Sequence, residues 1–252
     1  MNPSQETQSV IDLAKQAGGV LMKYFGTELT RNIKTGPEDY ATEADIAAEK
    51  IILEKLKAAF PQDAIVAEES GKHDVLASQY TWIIDPLDGT RNFANNKEDF
   101  AVMICRANRG EIELAVIYNP AKDILATAEK GSGVYLQGQR IDLTGHDYSD
   151  KPVGVSRSAQ AKIISLDFAG VDLGAGPDTM EALAGNRQAY ITNNGYDWDF
   201  APAVLMLAEA GWKVTDTNGN PYQWNGNLEY GNPGVIAAPD ALHEQLVGLM
   251  NS

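Results

Sequence analysis

The chain has 252 residues, with 20 Lys+Arg against 35 Asp+Glu and a formal net charge of −15. That length holds one large domain or two small ones with a substantial core, and 44% hydrophobic with 22% charged residues excludes disordered and collagen-like classes. No apolar run reaches the ~18–20 residues of a membrane span. Cys105 has no partner for an internal disulfide, and the acid excess disfavours a nucleic-acid polymer or an anionic membrane as partner. The N-terminal segment lacks the basic flank and apolar stretch of a signal peptide, so a cytoplasmic location is expected.

The first element reads as a helix. Val10, Leu13, Ala14, Ala17, Val20, Leu21 and Tyr24 recur at helical spacing, and Gly26 stands where a helix would stop. A second helix is expected from Thr42, three residues before Asp45 as in a capping box, with Pro61 closing it. Short buried strands follow at 64–67 and 81–84, each running straight into acidic residues. From about 100 to 141, apolar stretches separated by NRG, NPAKD, KGSG and QGQ read as an antiparallel meander. Beyond it the pattern predicts strands near 153–155, 189–192, 212–216 and 234–237, and helices near 178–186, 200–210 and 240–250. The hinge is placed at 145–152. This divides the chain into an N-terminal α+β half (1–150) and a C-terminal α/β half (151–252) that together make one domain, and the fold class is mixed α/β layers.

Three acidic segments stand out: Glu68-Glu69-Ser70, Asp85-Pro86-Leu87-Asp88-Gly89-Thr90, and Asp197-Trp198-Asp199. A carboxylate just past a buried strand must be solvated, paired or holding a cation. No Lys or Arg adjoins the first segment, and His73, His146, His243 and Cys105 are too scattered for a zinc or copper site. The three segments together point to hard oxygen ligands for Mg²⁺. Gly89 and Thr90 form a turn whose N–H groups suit an anion at a helix start. Taken singly, each segment has a plain structural reading as turn, solvated strand end or helix cap.

Phosphoryl-transfer designs built on a covalent nucleophile or a P-loop fail on the residues. A cysteine-dependent enzyme needs Arg after five intervening residues, where Glu111 follows Cys105; Cys105 itself reads as a packing residue. An aspartyl-phosphate design would place Thr or Val where Ala201 follows Asp197-Trp198-Asp199. No P-loop is present.

The run Trp82-Ile83-Ile84-Asp85-Pro86-Leu87-Asp88-Gly89-Thr90-Arg91-Asn92-Phe93 resembles the signature of the lithium-sensitive, Mg²⁺-dependent phosphatases typified by inositol monophosphatase. Glu68-Glu69-Ser70, Trp198-Asp199, Thr42-Glu43-Ala44-Asp45 and Lys34 stand at family-like positions. The resemblance implies an αβαβα sandwich with a large antiparallel sheet, a homodimer, and two or three Mg²⁺ per active site. It assigns Glu68, Asp85 and the Leu87 carbonyl to one metal, and Asp85, Asp88 and Asp199 to another. Glu69 and Lys34 become contacts to metal-bound water or a third metal. Asp88, Gly89, Thr90 and Asp199 face the substrate. Thr90 with Asp45 would orient the nucleophilic water, and Glu68 joins them among the catalytic residues.

The implied reaction is hydrolysis of a small phosphorylated metabolite, with inositol monophosphate as first candidate. Histidinol phosphate, a 3′(2′),5′-bisphosphate nucleotide and a sugar phosphate stay open. So does a metal-binding regulatory or interaction protein without catalysis. The family's sugar-contacting glutamate, seven residues before the Trp-Asp aspartate, is Thr192 here, and the family's Gly-Ser-Ala-Ala stretch has its nearest counterpart in Leu173-Gly174-Ala175-Gly176. Arg91, Arg157 and Arg187 could meet a second anionic group, but each reads as a surface charge.

Overall fold

A computed structural model of the protein describes residues 3–36, 39–73, 78–156, 159, 168–193, 195–224 and 233–251. The chain begins with α1 (Gln5–Tyr24), capped by the Ser4 side chain, and a hairpin of β1 (Arg31–Gly36) and β2 (Asp39–Thr42). Then come α2 (Glu43–Ala59), β3 (Ala64–Ala67), β4 (Gly71–His73), β5 (Tyr80–Asp88) and the short α3 (Thr90–Ala94). The expected meander is present as β6 (Ala101–Asn108), β7 (Glu111–Asn119), β8 (Ile124–Glu129), β9 (Gly133–Leu136) and β10 (Gln139–Ile141). The remainder supplies β11 (Val153–Val155), β12 (Gly170–Val171), α4 (Ala175–Leu183), β13 (Ala189–Ile191), α5 (Asp197–Glu209), β14 (Lys213–Asp216), β15 (Val235–Ala238) and α6 (Asp240–Met250).

These elements stack in five layers. An eight-stranded sheet runs β10-β9-β8-β7-β6-β5-β3-β4, antiparallel throughout except for the parallel pair β3–β5. On one face α1 and α2 bury Val10, Leu21, Ile52 and Leu56 against Trp82, Ile84, Ile104 and Val116. Gly18 lets α1 settle closely, since a Cβ there would lie 2.8 Å from the Tyr118 ring. On the other face α4 and α5 cover Ile83, Met103, Cys105 and Ile117. The same two helices pack on the five-stranded sheet β12-β11-β13-β15-β14, and α6 closes its far side with Leu246. This is the αβαβα order that the resemblance implied. Residues 142–152 lie between the last strand of the first sheet and the first strand of the second. Cys105, at 0% exposure in β6, is a packing residue.

Three expected boundaries move for local reasons. The helix expected at 178–186 starts at Ala175, because Gly174, at φ +106°, turns the chain into it. The helix expected at 200–210 starts at Asp197. Asp199 is therefore not the residue before the helix but lies in its first turn, accepting the Tyr196 N–H at 2.9 Å, and Pro202 falls in the second turn. The strand expected at 81–84 continues to Asp88 through a bulge. β5 pairs Asp85 with Met103 and Asp88 with Ala101, one extra residue on its own side, which accommodates Pro86.

Candidate active site

That bulge aims the acidic residues. In a regular strand Asp85 and Asp88 would point to opposite faces. The extra residue turns Leu87 into the α1–α2 core and leaves Asp85 and Asp88 together on the α4–α5 side. Parallel pairing of β3 with β5, Ala67 opposite Ile84, puts Glu68 beside Asp85, and ligand sites favour such strand ends. The first turn of α5 brings Asp199. A cleft of about 310 Å³ opens here, lined by Glu68, Asp88, Gly89, Thr90, Thr192 and Asp199 among others.

Each carboxylate is held by a protein donor. Ala175 and Gly176, at the start of α4, donate their N–H groups to Asp88 at 3.1 and 2.8 Å. Leu87 N–H donates to Asp85 Oδ1 at 2.9 Å. Lys34, on the β1–β2 hairpin, donates to Glu68 Oε1 at 2.8 Å and Glu69 Oε1 at 2.7 Å. The cation paired with Glu68 thus arrives from a hairpin the hydrophobic pattern does not announce. Glu69 is further fixed by its own N–H, donated to the buried Glu49 at 2.8 Å.

Burial, reinforced by the neighbouring carboxylates, governs the titration. Burial, then Glu68, Asp88 and Asp199, push Asp85 well above the usual carboxylate range. Burial and Glu68 do the same to Asp199 against the Tyr196 N–H bond. Burial carries Asp88 to about 7 in spite of its two backbone donors. Burial and Glu68 carry Glu69 to about 7, against Lys34. Burial would lower Lys34, but Glu68 and Glu69 override it and hold the ammonium charged.

The donor set fits Mg²⁺: hard oxygens only, mutually repelling, with the Leu87 carbonyl at the same bulge. Among the described residues no three acidic, His or Cys side chains are drawn together as direct ligands of one ion. A cation that keeps several of its own waters tolerates that spacing, whereas zinc, closely bound by nitrogen and sulfur, would not.

Beside the acids stands a hydroxyl dyad. Thr90 Oγ1 lies 3.1 Å from Asp45 Oδ1 and 3.0 Å from the Leu87 carbonyl. Asp45 also closes the expected box at the start of α2, accepting the Thr42 N–H (2.8 Å) and hydroxyl (2.6 Å). Burial raises it to about 6 against those bonds. Gly89 caps α3 at φ +82°, and a Cβ there would lie 2.7 Å from the Asp99 carbonyl, so only glycine fits.

Thr192, also in the cleft lining, is buried and its hydroxyl accepts the Val235 N–H at 2.9 Å, tying β13 to β15. Arg91 is half-buried and lines the cleft. Arg187 is not a surface charge; it is buried against Asp178 because the intervening turn folds it under α4. Arg157 lies outside the described residues. Pattern reading missed Asp178 and the two Asp88 donors. Asp178 four residues after Gly174 carried a first-turn signal, but the helix start was placed too late to show it.

The sequence profile of the inositol monophosphatase family matches residues 2–252. The Nus factor SuhB of Salmonella typhimurium is 33% identical over 242 residues, covering 89% of this chain and 90% of that protein. Human inositol monophosphatase 2 is 33% identical over 234 residues, covering 85% and 81%. The crystal structure of an IMPase/NADP phosphatase complexed with Mg²⁺ and phosphate superimposes with a TM-score of 0.84 over 98% of this chain and 95% of that one, at 23% identity. With a family match over almost its whole length and the layered fold that goes with it, the chain belongs to the inositol monophosphatase family.

Proposed function

We propose that the protein hydrolyses a small phosphomonoester to alcohol and inorganic phosphate in a Mg²⁺-dependent reaction. The observation that carries this reading is that Glu68, Asp88 and Asp199, from three separate elements, line one cleft together with Thr90, whose hydroxyl lies 3.1 Å from Asp45. Glu68, Asp85, the Leu87 carbonyl, Asp88 and Asp199 would hold the metal. When bound, Mg²⁺ supplies charge for the phosphoryl oxygens and a water of lowered pKa. That a fold relative is complexed with Mg²⁺ and phosphate supports the choice of ion.

The chain's own residues then have separable tasks. Asp45 accepts the Thr90 proton, which leaves the Thr90 oxygen free to accept a proton from a water on the cleft side. A base at about 6 suits that transfer near neutral pH. The first turn of α3 presents the Gly89 and Thr90 N–H groups to the phosphate. Lys34 balances the charges of Glu68 and Glu69.

Inositol monophosphate is the first substrate candidate, with histidinol phosphate and a 3′(2′),5′-bisphosphate nucleotide behind it. Thr192 offers a hydroxyl already engaged with Val235 where a carboxylate would accept two sugar hydroxyls, so the alcohol side selects less strongly for a polyol. A second reading, a regulatory protein of this fold, is favoured by the likeness to a Nus factor. A soluble cytoplasmic homodimer belongs to the proposal.

Phosphate release from a panel of these three esters with fructose 1,6-bisphosphate and glycerol 2-phosphate, with Mg²⁺ and then with EDTA, tests it. Mg²⁺-dependent turnover is expected, and the largest kcat/KM names the substrate. Silence across the panel from folded, Mg²⁺-binding protein would favour the regulatory reading.

A further inference from the structure

At the wall of the cleft, which Asp178 helps to line, is an ion pair that the proposed chemistry does not use. Arg187 and Asp178 are 5% and 2% exposed. Arg187 Nε and Nη2 donate to Asp178 Oδ1 at 2.9 and 2.8 Å, and Nη1 donates to the Asn186 carbonyl at 3.0 Å. The other oxygen of Asp178 accepts the Leu173 N–H at 2.9 Å. The Leu173 carbonyl in turn accepts from Asn92 Nδ2 at 2.8 Å, and Asn92 belongs to α3, which follows Gly89. The Leu173 peptide is therefore gripped at both ends, by Asp178 and by Asn92. Two residues further on, Ala175 and Gly176 present their N–H groups to Asp88.

Little slack remains in this strap. A Cβ at Gly174 would lie 2.9 Å from Asp88 Oδ2, and one at Gly154, on β11, would lie 3.3 Å from the Asp178 side chain. Apolar residues of similar volume fill such a position at least as stably as a buried ion pair does. Orientation is what the pair adds: Arg187 Nε and Nη2 together hold Asp178 Oδ1, which turns Oδ2 towards the Leu173 N–H.

We propose that Asp178 and Arg187 are a positioning pair for Asp88. They fix the first turn of α4, whose two N–H groups set the direction of the Asp88 carboxylate towards the cation. The proposal rests on the reading of the cleft as a divalent-cation site.

The test is Mn²⁺ binding by isothermal titration, alongside kcat, KM and the Mg²⁺ concentration for half-maximal rate. It compares wild type with Arg187→Met and with Asp178→Asn/Arg187→Met, which leaves no buried charge unpaired and keeps an acceptor for Leu173. Near-UV circular dichroism identifies the folded variants. Each folded variant is expected to bind Mn²⁺ about tenfold more weakly, the scale at which groups that orient a metal ligand act. Its kcat should recover at high Mg²⁺, with an unchanged KM for the ester. Adding Asp88→Asn should abolish the difference between the paired and unpaired proteins.

Folded variants with wild-type Mn²⁺ affinity, or with a lower kcat that excess Mg²⁺ does not restore, overturn the proposal. Wild-type protein that binds Mn²⁺ yet hydrolyses no ester removes the phosphatase reading and leaves the affinity comparison standing.

Discussion

The Thr90 hydroxyl has one proton and two acceptors, Asp45 at 3.1 Å and the Leu87 carbonyl at 3.0 Å. Giving it to Asp45 couples the hydroxyl to a carboxylate that can take the proton on; giving it to Leu87 couples it to a carbonyl that cannot. Thr90→Ala should therefore lower kcat by about 10²-fold or more, the usual range for a proton-transfer group, with little change in Mg²⁺ affinity. An unchanged kcat in a steady-state assay would remove Thr90 from the chemistry. Asp85→Asn acts differently. It takes one charge from a crowd of four carboxylates, so chelator-treated protein should melt at a higher temperature than wild type while cation binding and turnover are lost. Calorimetry with and without Mg²⁺ checks both. At this scale the sequence was highly legible where residue type and neighbourhood carry the chemistry, as in the run from Asp85 to Thr90. Arg187 was not legible, because the burial of a charged residue depends on a partner that arrives from another turn of the chain.

Elements do their work here through their ends. α4 contributes no side chain to Asp88, only the two N–H groups of its first turn, and Gly176 lets that turn lie against the large sheet. A Cβ at Gly176 would meet Ala101 Cβ at 3.0 Å, Met103 Sδ at 3.0 Å and Ile117 Cγ2 at 3.1 Å. Gly176→Val should cost about 1–3 kcal/mol in chemical denaturation, the range for overpacking a core, and weaken cation binding as the donors move away. Gly176→Ala should do the same more mildly. Helical periodicity located α1, α2 and α6 well, since each buries one clear face. It misplaced the starts of α4 and α5, because their first turns are set by Gly174 and by the Asp199–Tyr196 bond rather than by apolar spacing. The β1–β2 hairpin that carries Lys34 escaped for a related reason: Arg-Asn-Ile-Lys-Thr-Gly offers no alternating apolar face.

For the whole molecule the buried acids set a pH dependence. Asp85 and Asp199 are raised, Asp88 and Glu69 stand at about 7, and Asp45 at about 6. Each holds its proton more tightly folded than unfolded. Their contribution to stability is therefore fully present below the ordinary carboxylate pKa and is lost as pH rises through the folded values. The melting temperature of chelator-treated protein should fall between about pH 5 and pH 8, Mg²⁺ should restore it most at the alkaline end, and Asp88→Asn should flatten the profile. A melting temperature that rises over that interval without Mg²⁺ would contradict the raised carboxyls that burial and crowding produce. The layer order was legible only through the resemblance, since nothing in periodicity says that α4 and α5 lie between two sheets. That sandwich also seals the lone sulfur of Cys105 between the strands of the large sheet and α5. A thiol reagent cannot reach it until the layers part. In a protein with one cysteine, the labelling rate then becomes a clock for opening of the central layers, readable by mass alone and blind to fraying at either end of the chain.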